Sequence, residues 1–152
     1  MSDPVSFTVY GPVAVLRIQN PPVNALSQAV RQGLAVGMDR AEADAAIKAV
    51  VIVGDGRAFI AGADITEFGK PPQGPDFNAV LNMIELAPKP VVAAIHGTAL
   101  GGGLELTLGC SYRIATTEAW LGLPEVKLGL VPDYAIFHLL PRRVGQAQAR
   151  QV

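Results

Sequence analysis

Charge of one sign, cysteine and long apolar runs are what this chain has little of, and each shortage removes a class of function. The 12 lysines and arginines are matched by 13 acidic residues, so the basic excess that attracts a phosphate backbone is missing and no nucleic acid partner is expected. One cysteine, Cys110, cannot close an internal disulfide; this fits a reducing compartment, and a cytoplasmic location is expected. No apolar run approaches the ~20 residues of a membrane span. The start, MSDPVSFTVYG, carries neither the basic nor the apolar segment of a secretory signal, and no membrane partner is expected. No His/Cys/Asp cluster has metal-ligand spacing, so no metal is expected. Nucleotide loops of the GxGxxG and GxxxxGKS/T types are absent too.

What the chain does have is apolar residues and turn formers. Half of its 152 residues are hydrophobic, with 16 glycines and 12 prolines, enough for one core in a single α/β domain over residues 1–152. Val13 to Ile18 follows a Gly11-Pro12 turn and predicts a hairpin with Phe7 to Tyr10. Ser27 is the expected N-cap of a helix to about Ala43. Ala49 to Val53 and Val91 to Ile95 read as strands buried on both faces. A helix from Asp76 toward Pro88, a helix from Leu104 to Gly109, and short strands at Tyr112 to Ala115 and Trp120 to Leu123 complete the pattern, with Pro132-Asp133 opening another helix. Lys70 to Pro75 is the expected exposed stretch. Strands alternating with helices imply a mainly parallel arrangement whose strand-end turns carry the chemistry.

Two such turns stand out. Ala61-Gly62-Ala63-Asp64 lets backbone approach a ligand without bulky side chains in the way. Asp64 is the expected cap of a short helix from Ile65 to Phe68, which leaves N–H groups near Ala63. A plain capped strand-to-helix turn would read the same. Gly101-Gly102-Gly103 runs into a helix whose N-terminus offers unpaired donors to an anion, such as a developing enolate oxygen. Close helix–strand packing is the other use of such glycines. Glu105 has Gly101 and Gly109 as its neighbours one turn away and no cation within a turn. A carboxylate so placed is expected to be desolvated and to bind its proton more tightly, as general acid–base work requires. Glu125 also lies among apolar residues, LGLPEV; an edge-strand charge is the alternative there. His96 and His138 are expected as loop or core histidines, and Trp120 as core.

The stretches AFIAGADITEF (Ala58 to Phe68), HGTALGGGLELTLGCSYRIA with GLPEVKLGL, and NPPVNALS resemble the crotonase family, the enoyl-CoA hydratases and isomerases. The likeness is strongest to the hydratase/isomerase region of the multifunctional fatty-acid oxidation enzymes, and runs from about Val13 to Gly145. It implies a spiral of repeated ββα units, a coenzyme A thioester substrate with no separate cofactor, and commonly a homotrimer. Matched position by position, the two oxyanion-hole N–H groups fall on Ala63 and Gly102. The two glutamates that add water syn across a trans-2-enoyl-CoA fall on Glu105 and Glu125. Ala61, Asp64 and Ile65, with Gly101, fall on substrate-binding backbone, while a lysine common in the family is replaced by Thr66.

Two departures from the family pattern remain. Asp133-Tyr134-Ala135-Ile136-Phe137 stands where the family has a glycine-rich turn, and the bulky residues are expected to narrow the acyl pocket. The aspartate resembles that of branches with other chemistry: with Glu125, Asp133 would serve a dienoyl-CoA isomerase or a 3-hydroxyacyl-CoA thioester hydrolase, or else act only as a helix cap. Family domains also run to roughly 250 residues, and here the residues after Gly145 begin a helix and stop. The expectation is a crotonase-like domain lacking its C-terminal helices, poorly active on its own, with an apolar patch where they pack; an inactive acyl-CoA-binding fragment is the alternative.

Overall fold

Gly11, at φ +56, turns the chain so that Val5–Tyr10 (β1) folds back antiparallel on Val13–Ile18 (β2). The computed structural model describes residues 3–71, 73–132 and 134–151; Asp133 and the side chains of Tyr134 and Ala135 lie outside that description. From β2 onward the main sheet is parallel. Ala49–Gly54 (β3) pairs with β2, Val91–Ile95 (β4) with β3, and Tyr112–Ala115 (β6) with β4, giving the order β1-β2-β3-β4-β6. A second, two-stranded parallel sheet joins Thr98–Leu100 (β5) to Trp120–Gly122 (β7).

Helices connect these strands. Gln28–Ala43 (α1) is capped by Ser27, whose Oγ accepts the Val30 N–H at 3.4 Å, and Phe77–Glu85 (α2) by Asp76, whose Oδ1 accepts the Ala79 N–H at 2.7 Å. Gly102–Gly109 (α3), Tyr134–Val144 (α4) and the short Gln146–Ala149 (α5) follow. The sequence β1β2α1, β3α2, β4β5α3, β6β7α4 is the expected repeat of ββα units, complete in three of its four turns. Among the described residues no helix is long and apolar enough to cross a membrane.

The core lies between the sheet and α1, α2 and α3, with Leu16, Ile52, Leu34, Ile84, Phe59 and Leu106 fully buried. α1 approaches closely because two of its residues lack side chains. A Cβ at Gly33 would stand 2.8 Å from the Val5 side chain, and one at Gly37 would overlap Leu16. A smaller apolar cluster joins Leu81 of α2, Leu104 and Leu108 of α3, and Ile136, Leu139 and Leu140 of α4.

Three expectations are corrected here. β3 and β4 are not buried on both faces: Val50 and Ile52 are sealed against the helices, while Val51 and Val53 are only half-buried. One helical layer covers one side of the sheet, and the β-branched run alone does not reveal that. Trp120 is not core but 63% exposed; Ala119 packs inward in its place. α3 begins at Gly102, two residues earlier than expected, because Gly101, at φ +51, makes the entry turn and leaves the next two glycines helical.

Candidate active site

The first of the two turns is sewn into the fold by backbone. After β3, the N–H groups of Phe59 and Ile60 donate to Thr98 O at 3.1 and 3.2 Å, and Ile60 O accepts from Leu100 at 3.0 Å, so this segment forms a rail beside β5. Ala61 N–H then donates to Val23 O at 3.1 Å, and Leu26 N–H to Gly62 O at 2.9 Å. No hydrogen bond among the described residues uses the N–H of Ala63, a residue exposed to solvent. Asp64 caps the following 3-10 turn, Ile65–Glu67: its Oδ1 accepts from Thr66 N–H at 3.0 Å and from Thr66 Oγ1 at 2.7 Å. The Thr66 hydroxyl is therefore engaged with Asp64, while Ile65 stands exposed on the rim.

At the second turn the three glycines have three different reasons. Gly101 takes φ +51, and a Cβ there would stand 2.5 Å from Glu125 Oε1. Gly103 must lack a side chain because a Cβ would overlap the Ile60 carbonyl; this is the close packing that triple glycine also suggested. Gly102 meets no backbone: its nearest neighbours would be Leu26 Cδ2 at 3.3 Å and Phe77 Cε1 at 3.6 Å. Its N–H, in the first turn of α3, has no acceptor among the described residues, and the Gly101 cap supplies no side chain. The two open donors sit in neighbouring segments, since Leu26 is bridged to Ala63 and packs its side chain on Gly102.

Glu105 and Glu125 both adjoin the second turn, one along the chain and one in space. Glu105 follows Gly101 by one helical turn and is 2% exposed. Glu125 opens a 3-10 turn, Glu125–Leu128, behind Pro124, so it is not the edge-strand charge that its surroundings also allowed. Its carboxylate lies over Gly101, on the helix face from which Glu105 follows. Glu125 Oε2 is shielded from solvent and has no hydrogen-bond partner among the described residues. A buried carboxylate oxygen without a donor is costly unless a water or a ligand completes it.

A groove of about 440 Å³ is lined among others by Leu123 and Val126, which flank Glu125 in the chain, and by Ile136, Phe137 and Leu140; its lining includes neither glycine turn. Ile136 is packed into the smaller core, whereas Phe137 lies exposed at the groove's lip. A larger cavity, about 650 Å³, lies between β1 and α1 and touches neither glycine turn. His96 hydrogen-bonds Gly56 O at 2.9 Å in a loop, and His138 sits on the exposed face of α4, 3.2 Å from Arg142.

Sequence reasoning missed the groups that hold the Ala63 turn. Asn24, buried and at φ +54, donates from Nδ2 to both Asp55 O and Ala58 O at 2.8 Å. Arg31 and Glu67 pair at 3.0 Å, 36 residues apart in the chain. The only sequence sign of Asn24 was its place in NPPVNALS; the pair left none, because its contacts are long-range.

Comparison with known proteins shows the family. The enoyl-CoA hydratase/isomerase family profile matches residues 8–152. A probable enoyl-CoA hydratase of Bacillus subtilis is 46% identical over 155 residues, covering 97% of this chain and 60% of that protein. The peroxisomal bifunctional enzyme of Danio rerio is 53% identical over 133 residues, covering 88% of this chain and 18% of the larger protein. Among solved structures, an enoyl-CoA hydratase/carnithine racemase from Magnetospirillum magneticum superposes with a TM-score of 0.90 at 30% identity, over 100% of this chain and 61% of that one. The chain thus spans less than two thirds of the length of these relatives.

Proposed function

Since the chain belongs to the enoyl-CoA hydratase/isomerase family, we propose that it carries a hydratase site for coenzyme A thioesters, adding water syn across a trans-2-enoyl-CoA. The thioester carbonyl oxygen accepts from the N–H groups of Ala63 and Gly102. These fixed dipoles stabilise the negative charge that grows on that oxygen as the enolate forms. One glutamate of the Glu105–Glu125 pair takes a proton from the attacking water at the β-carbon, and the other handles the proton at the α-carbon. Coenzyme A enters as part of the substrate, along the backbone of Ala61, Asp64 and Ile65 and the Gly101 turn, and no further cofactor is needed for this chemistry. A chain with no basic excess and a mainly apolar groove suits an acyl thioester better than a nucleic acid.

One observation carries the reading: the carboxylate of Glu125, with an unpartnered Oε2, lies on the turn that presents the open Gly102 N–H. The test follows a short trans-2-enoyl-CoA by loss of its conjugated absorbance. Turnover is expected from the chain, and Glu105→Gln and Glu125→Gln are each expected to lower kcat by about 10²–10⁴-fold, the usual worth of a general acid or base. Hydration that survives Glu105→Gln unchanged would sink the proposal. Thioester cleavage lost on Asp133→Asn would move the chemistry to a hydrolase, and tight binding without turnover would leave a binding fragment.

A further inference from the structure

Arg31 has a burden unusual for a residue on a surface helix. Its side chain is only 14% exposed, and Nη1 donates both to Leu26 O and to Glu67 Oε2 at 3.0 Å. Nε donates to Pro75 O at 3.0 Å and Nη2 to Gln73 O at 3.4 Å. Glu67 is held from its other side as well, because Oε1 accepts the N–H of Gln28 at 2.6 Å. Gln28 is the first residue of α1, so its N–H has no partner within the helix.

The residue that Arg31 grips is the one lying between the two open donors. Leu26 gives its N–H to Gly62 O, is bridged to Ala63, and rests its Cδ2 on Gly102. Its carbonyl is fixed by the same Nη1 that holds Glu67, and Glu67 ends the 3-10 turn that starts just after Ala63. A shift of Leu26 therefore moves the Ala63 N–H relative to the Gly102 N–H.

We propose that Arg31, locked by Glu67, is a positioning residue that sets the spacing of the two oxyanion donors. The proposal rests on the hydratase reading of this site. The rigid, forked guanidinium reaches Leu26 O, Glu67 and Pro75 O together; a lysine keeps the charge and loses that geometry. Misplacing a reacting group by ~1 Å costs about 10²-fold in rate, so a small relaxation of Leu26 is enough to show.

The test compares the unchanged chain with Arg31→Lys, Glu67→Gln, both together, and Arg142→Gln, which loses an exposed 4.0 Å pair with Glu85 and an exposed 3.2 Å contact with His138, both remote from the glycine turns. Each is assayed for kcat and KM on a short trans-2-enoyl-CoA and for thermal melting. Each is also titrated with a cinnamoyl-CoA bearing a para-dimethylamino group, whose absorption moves to the red when its carbonyl is polarised. Arg31→Lys and Glu67→Gln are expected to lower kcat roughly tenfold or more with little change in KM, since the loss is one of alignment. Both are also expected to shrink the red shift of the bound probe. The double variant should be no worse than Arg31→Lys alone, as for two members of one network, and Arg142→Gln should match the unchanged chain. A full red shift and unchanged kcat in Arg31→Lys overturn the proposal whatever its melting temperature, and so does a rise in KM alone. If Arg31→Lys does not fold, Glu67→Gln is read by the same criteria. An unchanged chain that neither shifts the probe nor hydrates the substrate refutes the hydratase reading first, and this inference falls with it.

Discussion

At the scale of single residues, the three consecutive glycines separate packing from chemistry. Gly103→Ala drives a methyl into the Ile60 carbonyl and is expected to cost about 1–3 kcal/mol, as overpacking does. Gly102→Ala meets the flexible end of Leu26 at 3.3 Å and makes ordinary contact with the Phe77 ring at 3.6 Å; alanine's better helix propensity offsets the closer contact, and stability should change by less than about 1 kcal/mol. Denaturant unfolding of the two variants checks the contrast. Cys110 makes a second case. It is fully buried, and desolvation pushes its thiol from 9.0 up to about 12, against the opposing pull of Arg113 and Arg143. Because the folded pKa is the higher one, the folded state holds this proton more tightly. The resulting stabilisation is complete below pH 9 and is lost as pH rises toward 12. The stability difference between the unchanged chain and Cys110→Ala should therefore hold steady below pH 9 and shift against the unchanged chain above it. A thiol reagent at pH 8 should leave native Cys110 unlabelled.

At the scale of elements, helix ends are finished by residues far away in the chain. Lys89, just before β4, donates from Nζ to the carbonyls of Ala41, Glu42 and Asp44 at 2.6, 3.0 and 2.7 Å, closing the C-terminus of α1. Lys89→Met is expected to cost about 1–2 kcal/mol in unfolding free energy while leaving the probe spectrum of the site intact. α3 is finished both locally and from afar: Arg113, just beyond its end, donates to Thr107 O and Cys110 O at 2.8 Å, and Arg143 of α4, 35 residues on, to Leu108 O at 3.2 Å. Two cations thus face the negative end of the helix whose other end presents the Gly102 N–H. These contacts explain what was legible in the sequence and what was not. Ser27 and Asp76 cap within three residues of themselves, so local pattern located α1 and α2 closely. The glycine turn and the burial of Glu105 were legible because both are local to one helix. Lys89, Arg31 and Asn24 act on segments tens of residues away, and nothing in their neighbours announces it. The half-covered faces of β3 and β4 and the exposed Trp120 misled for the same reason: hydrophobicity shows what can be buried, not what is there to cover it.

At the scale of the whole molecule, the apolar surface is unevenly distributed. Tyr112, Ile114, Trp120, Val126, Leu128 and Phe137 are all more than half exposed, and most of the exposed large hydrophobic residues follow residue 110. The N-terminal part, with β1 to β4 and both α1 and α2, is by contrast well packed. The two glycine turns lie where these parts meet: the Ala63 turn is tied to Leu26 and Val23 on one side, and the Gly102 turn to Gly122 and Glu125 on the other. The meeting of the two glycine turns is thus a product of long-range assembly, although each turn is local in the chain. In the proposed hydratase both N–H groups meet one thioester oxygen. The infrared stretch of an isotopically labelled carbonyl in a trans-2-enoyl-CoA tests this, with the thioester bound to the chain carrying Glu105→Gln and Glu125→Gln so that it is not consumed. A band displaced to lower frequency than in water is the result expected from two donors on that oxygen; a bound thioester whose carbonyl absorbs as it does free in solution would contradict the account.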